Sequence, residues 1–138
     1  DCVFVPHLVI TAPGVPVLVR NSDRLLHTFR TKASENPNVN KAQPGGKEDR
    51  VAFAEPEVLT AVCDVHHWMS AVIVVAGHAW TAASDEQGRF RIDGVPPGTY
   101  TLELWHQVLG RRSAKVEVGA RGGSLDMVWE PAPGRPGP

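Results

Sequence analysis

The apolar residues of this chain occur in short runs, and turns rich in glycine and proline separate those runs. The 138 residues include 13 glycines and 12 prolines, more than an average globular chain but fewer than a low-complexity one. Short apolar runs between turns are typical of β-strands, whereas an amphipathic helix needs a longer periodic segment. We find no convincing helical pattern, so the sequence predicts an all-β fold.

Several strands can be placed from the residue pattern. Residues 15–20 are rich in β-branched side chains, and residues 99–105 alternate between apolar and polar side chains, as a half-buried strand does. Residues 70–76 are apolar on both faces, which predicts a central strand. Further strands are predicted at 3–10, 51–54, 58–63, 89–92, 116–118 and 125–129. Residues 32–50 are polar and contain turn-forming residues, so we expect a long surface loop there.

The charge balance and the hydropathy exclude some classes of function. Lysine and arginine total 14 against 15 aspartate and glutamate, so the chain has no basic field for a nucleic acid. No apolar run reaches the roughly 18 to 20 residues of a membrane helix, so we expect no transmembrane segment in this chain. The first residues show no signal-peptide pattern. We therefore expect any signal peptide to lie outside this chain, which leaves export open.

The stretch 63–69 carries the strongest chemical signal. Cys63, His66 and Met69 follow the spacing C-x-x-H-x-x-M and offer a thiolate, an imidazole and a thioether. Copper accepts all three in both of its oxidation states, because thiolate and thioether are soft ligands and imidazole is borderline. A blue-copper centre needs two histidines, one cysteine and a weak axial methionine. His27 is a candidate for the second histidine.

Other interpretations of these residues stay open. Cys63 is a metal ligand, a buried inert thiol, or half of a disulfide with Cys2. If Cys63 binds metal, Cys2 pairs with a group outside this chain or with nothing. Met69 is an axial ligand or a core residue, and zinc is disfavoured because methionine is a poor zinc ligand. Asp23 and Asp64 are interpreted as turn formers, and no serine has the context of a nucleophile, so we expect no enzymatic activity.

The other histidines are interpreted as supporting or surface residues. We expect His67 to face solvent beside the site, and His7 to have a surface or supporting role. His78 and His106 are interpreted as ordinary surface or interdomain residues. Trp68 either shields the metal from water or forms part of a docking surface.

These motifs together resemble known families. The segment Asn21-x-Asp23 running into His27, followed by the loop 63–69 between strands, resembles the cupredoxins, and the short Cys-to-Met loop is most similar to that of amicyanin. Residues 81–104 resemble the carboxypeptidase regulatory-like (transthyretin-like) domain. The combination resembles bacterial exported proteins of the methylamine-utilisation-like type, with a Phe-x-Pro-His strand at 4–7 and a Trp-His pair at 105–106.

The resemblance implies a specific architecture. Residues 1–78 would form a cupredoxin-like Greek-key sandwich, residues 79–130 a partial transthyretin-like β-sandwich, and residues 131–138 a disordered tail. In many cupredoxins an asparagine after the first histidine joins the two ligand loops. Thr28 stands at that position here, and this departure from the cupredoxin pattern puts the link in doubt.

The resemblance also implies a function. One copper ion would be held by His27, Cys63, His66 and Met69 in a type 1 site. The protein would transfer single electrons to a redox partner protein in the periplasm or otherwise outside the cytoplasm. The alternatives are copper carriage or sensing, and a metal-free β-sandwich module for adhesion or carbohydrate binding.

Overall fold

The computed structural model describes residues 2–129, and within them it contains nine β-strands and no helix, which confirms the all-β class. The strands are β1 (Leu8–Thr11), β2 (Val17–Arg20), β3 (His27–Lys32), β4 (Asn40–Gln43), β5 (Glu48–Val51), β6 (Glu57–Val62), β7 (Ser70–Val75), β8 (Gly98–His106) and β9 (Gly110–Val118). The part of the chain that is described holds no helix long and apolar enough to cross a membrane.

The chain divides into two compact units, residues 1–91 and 92–138. The division at residues 78 and 79 that the resemblance implied stays a prediction. The tail at 131–138, predicted to be disordered, lies outside the described residues.

The first unit contains two sheets. Its larger sheet has the strand order β1-β7-β6-β3-β4, in which β1 and β7 run parallel and the other pairs antiparallel. Its smaller sheet pairs β2 with β5. Strand β7 lies between two neighbours and is buried at four of its six positions, which confirms the predicted central strand.

Apolar side chains from both sheets form one core. Leu59 and Ile73 lie directly opposite each other on β6 and β7, are almost fully buried, and pack with Phe29 of β3. Val51 of β5 and the half-buried valines of β2 join this cluster from the smaller sheet. Because each sheet buries one face against the other, the first unit is a β-sandwich.

The prediction of a long surface loop at residues 32–50 is wrong, because this segment contains strands β4 and β5. Strand β4 is polar in sequence and pairs with β3, while β5 pairs with β2. These strands are stabilised by backbone hydrogen bonds to partners elsewhere in the chain, so their own composition did not reveal them. The strands predicted at 89–92 and 125–129 are also absent from the structure.

The described residues of the second unit contain one hairpin. Strands β8 and β9 pair over nine residues each, from Gly98 opposite Val118 to His106 opposite Gly110. The strand predicted at 99–105 is therefore confirmed within β8. The Tyr100 hydroxyl donates to the Pro96 carbonyl oxygen at 2.9 Å and ties the start of the hairpin to the preceding turn.

Candidate metal centre

The pairing of β3 with β6 brings the two ligand-bearing segments together. These strands are antiparallel, with Arg30 opposite Val62. In such a pair the start of one strand lies beside the end of the other. His27 is the first residue of β3, and Cys63 follows the last residue of β6. The register therefore places the imidazole and the thiol side by side, although 36 residues separate them in sequence.

Three potential ligand atoms form a small triangle. The Nδ1 atoms of His27 and His66 are 2.9 Å apart, and the Cys63 sulfur lies 4.0 Å from the first and 3.8 Å from the second. A point in the plane of this triangle is about 2.1 Å from all three atoms, close to the roughly 2.0 to 2.3 Å bonds that nitrogen and thiolate form with a small metal ion. The donor set thus fits a trigonal site with two imidazoles and one thiolate.

The ring of His27 is oriented by the carboxylate of Asp23. The two groups form a contact of 2.9 Å between Nε2 and Oδ2, and the His27 ring is buried. A carboxylate only accepts, so the proton resides on Nε2 and the lone pair of Nδ1 faces the triangle. The bond to His27, opposed by partial burial and aided by the Cys2 N–H, lowers the pKa of Asp23.

Asp23 is positioned by a buried asparagine. The Asn21 side-chain oxygen accepts from the Asp23 N–H at 2.9 Å. Its amide nitrogen donates to the carbonyl oxygens of Leu25 and Gln43 at 2.8 and 2.7 Å. Asp23 was interpreted from sequence as a turn former, and its contact with His27 gives it a second role. No sequence pattern pointed to this contact, because residues 23–27 do not form a helix, in which a spacing of four residues brings side chains together.

The Cys63 sulfur accepts hydrogen bonds that stabilise its thiolate. The side chain is buried, with 2% of its surface exposed, and the N–H groups of Thr28 and His66 point at the sulfur from 3.3 and 3.4 Å. Burial alone raises the pKa of this thiol, but these donors outweigh it and lower the pKa to about 6. The thiolate, which is the form that binds metals, therefore predominates at neutral pH.

Thr28, which stands where many cupredoxins have asparagine, joins the two ligand-bearing segments. Its N–H donates to the Cys63 sulfur, and its hydroxyl oxygen accepts from the Asp64 N–H at 2.7 Å. The Asp64 carboxylate in turn accepts from the Arg30 side chain at 2.7 Å. A threonine thus supplies the connection that the resemblance assigned to asparagine.

Two backbone hydrogen bonds close the loop between β6 and β7. The Cys63 N–H donates to the Met69 carbonyl oxygen at 3.3 Å, and the Met69 N–H donates to the His66 carbonyl oxygen at 2.9 Å. The Met69 side chain is buried. All four residues named from the sequence, His27, Cys63, His66 and Met69, thus belong to the same end of the first unit, and three of them converge through their donor atoms.

The remaining histidines and Trp68 lie outside the triangle of donor atoms. His67 is exposed, and Trp68 is 69% exposed with its ring edge against His66. The Nδ1 atom of His7 lies 3.0 Å from the Ser70 carbonyl oxygen at the start of β7. Outside the site, His78 packs near Trp80, and His106 near Trp129.

The structure brings Cys2 to the same place, which sequence reasoning missed. The sulfur of Cys2 and one ring nitrogen each of His27 and His66 lie within 4.8 Å of one another. Cys2 and Cys63 are both free cysteines, so the alternative disulfide between them is absent from this structure. No local pattern linked Cys2 to the histidines, since it precedes them by 25 and 64 positions.

The sequence matches a known family model. The family model described as polysaccharide lyase family 4, domain II, matches residues 53–124, just over half of the chain. This range includes Cys63, His66 and Met69. It also spans residues 81–104, the region that resembled the carboxypeptidase regulatory-like domain, and that second resemblance stays a prediction. No curated protein matches the sequence.

Among solved structures, the chain is similar to a novel purple cupredoxin from Nitrosopumilus maritimus. The identity is 20% and the TM-score is 0.46, over 51% of this chain and 79% of the other.

Proposed function

We infer a metal-binding function for this chain, which belongs to the family described as polysaccharide lyase family 4, domain II. We propose that it binds one copper ion through His27, Cys63 and His66, with Met69 as a weak fourth ligand, in a cupredoxin-like first unit. The observation that carries this proposal is the triangle of donor atoms, with sides of 2.9, 3.8 and 4.0 Å.

The chemistry of the donors favours copper over zinc. A structural zinc site takes four strong ligands, whereas this set offers one thiolate, two imidazoles and a methionine. Trigonal His₂Cys sites with a weak axial methionine are typical of blue copper. Bound copper would supply one-electron redox chemistry, which is the basis for proposing electron transfer rather than catalysis.

The protein supplies a site in which the donors are already close together. His27 is fixed by Asp23, and the Cys63 sulfur by two backbone N–H groups. Donors held in this way need little movement when a metal changes oxidation state, which favours rapid electron transfer. The half-buried His66 and the exposed Trp68 form the outer edge of the site, where we propose that a redox partner protein docks. We place the protein in the periplasm or otherwise outside the cytoplasm because of the sequence resemblance.

Anaerobic titration with Cu(II) tests the site. We expect one equivalent to bind and to produce an intense visible band from thiolate-to-copper charge transfer, with a matching EPR signal. Cys63→Ser and His66→Ala are expected to lose the band. His67→Ala is the matched control, because it removes a neighbouring exposed imidazole, and the band is expected to remain. Absence of the band in the wild type, or its persistence in Cys63→Ser, contradicts the proposal.

The family match favours a second candidate, a metal-free β module that binds carbohydrate or mediates adhesion. The two candidates differ in one measurement. A metal-free module leaves copper unbound after dialysis against a weak chelator, whereas the proposed site retains one equivalent. Copper carriage is separated from electron transfer by exchange: a carrier releases its copper to a competing chelator within the time of mixing, and an electron carrier does not.

A further inference from the structure

We propose that Cys2 supplies a second thiolate to copper(I) in this site. The inference rests on the proposed copper site and adds a ligand from the N-terminal segment. The Cys2 sulfur lies within 4.8 Å of a ring nitrogen of His27 and of His66. Two donor atoms on one metal ion are at most about 4.3 Å apart, the sum of bonds of about 2.0 and 2.3 Å. At the upper limit of 4.8 Å, the Cys2 sulfur is about half an ångström beyond this span from each imidazole nitrogen, so its side chain must move toward the imidazoles to form the bond.

The backbone of Cys2 is held by the same two loops that carry the histidines. Its N–H donates to Asp23 Oδ2 at 3.3 Å, and its carbonyl oxygen accepts from the Trp68 ring N–H at 3.1 Å. Asp23 orients His27, and the Trp68 ring contacts His66. The N-terminal segment is thus fixed over the site by groups that also position the ligands.

The backbone conformation of Cys2 fits this arrangement. Its φ angle is +49°, and it is the one residue other than glycine with a positive φ among the described residues. This region is uncommon for residues other than glycine, so contacts that hold the residue in it favour the observed conformation. The contacts with Asp23 and Trp68 do so here, and the thiol remains next to the two imidazoles.

A second thiolate changes which oxidation state the site prefers. Thiolates are soft ligands that select Cu(I). With Cys2, the centre offers two thiolates and two imidazoles, which is also a zinc donor set, so protection of Cys2 from alkylation by Zn(II) but not by Cu(I) overturns the assignment to copper(I). Binding requires that the Cys2 thiol loses its proton to the solvent as the sulfur–copper bond forms. Copper is Cu(I) before and after this binding step, so the step itself needs no oxidant or reductant.

Alkylation of the reduced protein with iodoacetamide tests the inference directly. Mass spectrometry follows the labelling rate of Cys2 and Cys63 separately, under anaerobic conditions, with and without one equivalent of Cu(I). We expect Cu(I) to slow the labelling of Cys2 by at least about tenfold, because a metal-bound sulfur is not a free nucleophile. X-ray absorption of the Cu(I) protein is expected to lose one sulfur neighbour in Cys2→Ser.

A matched pair of variants separates ligation from a structural role. Cys2→Ser is expected to weaken Cu(I) binding by at least about tenfold against a competing chelator. Val3→Ser changes the next, exposed residue of the same segment and is expected to leave the affinity within about twofold. If both variants lose Cu(I) affinity equally, the N-terminal segment only covers the site. That result overturns the inference that Cys2 is a ligand.

The outcomes for the two proposals are distinguishable. If Cu(I) binds with one equivalent and protects Cys63 while Cys2 is alkylated at an unchanged rate, the copper site stands and the role of Cys2 is refuted. If Cu(I) does not bind the wild type, the copper site itself is refuted, and the role of Cys2 with it.

Discussion

Replacing Asp23 by asparagine tests whether the carboxylate controls the ligand nitrogen of His27. The carboxylate accepts from Nε2 at 2.9 Å and so leaves the Nδ1 lone pair towards Cys63 and His66. An asparagine amide presents a donor as readily as an acceptor. When its NH₂ group faces Nε2, the proton moves to Nδ1 and blocks the nitrogen that binds the metal.

The expected loss follows from the burial of the ring. Partners of metal-bound histidines contribute roughly 10- to 100-fold to metal affinity. The His27 side chain is 6% exposed, so water does not replace the lost carboxylate, and we expect a value in the upper part of this range. An affinity lowered about 50-fold corresponds to about 2.3 kcal/mol of binding free energy.

Competition with a chromophoric chelator at neutral pH measures the affinity. The matched control is Asp64→Asn, which removes the same charge next to Cys63 but breaks only an exposed ion pair with Arg30. We expect it to change the affinity less than about threefold. If Asp23→Asn also stays within threefold, or if both variants lose affinity equally, the orientation of His27 by Asp23 is not what controls binding.

Three further predictions concern the metal-free protein. In Cys2→Ser, the ultraviolet absorbance of the remaining thiolate is expected to titrate near pH 6, well below the ordinary value of 9.0, since Cys63 has its pKa lowered to about 6. A titration midpoint near 9 in this absorbance contradicts the hydrogen bonds to the sulfur. Because the folded state favours the thiolate form, the contribution of Cys63 to the free energy of unfolding grows between pH 6 and 9 and is lost as the pH falls through 6. Glu57→Gln is expected to lower the free energy of unfolding by about 2 kcal/mol in urea titrations, because its carboxylate accepts from the N–H groups of residues 34, 35 and 36. The difference in unfolding free energy between this variant and the wild type is expected to disappear in acid. Burial raises the pKa of Glu57, but the Asn36 side chain and the three backbone N–H groups outweigh it and lower the pKa, so the charged form is lost as the pH falls. Leu59→Ala is expected to cost about 3 kcal/mol in the same assay, since the side chain is 1% exposed in the core, and a loss below 1 kcal/mol contradicts its place there.

Features that depend on residues close together in the sequence could be predicted from the sequence. The alternation at 99–105 and the apolar run at 70–76 each became a strand, because side-chain period and burial are local properties of the chain. The loop from Cys63 to Met69 was found for the same reason, since its spacing is set within seven residues. The polar strand β4 was missed because its partner, β3, stabilises it through backbone groups that carry no sequence signal.

The tertiary structure decided which donors meet. The sequence determined the all-β class and the presence of a thiol, imidazoles and a thioether at suitable spacing. It did not determine that the register of β3 against β6 puts His27 beside Cys63, or that the N-terminal segment carries Cys2 to the same two imidazoles. Such contacts depend on how distant strands pair and on where a terminal segment is held. These are properties of the whole fold, because a shift of one residue in register turns each side chain to the opposite face.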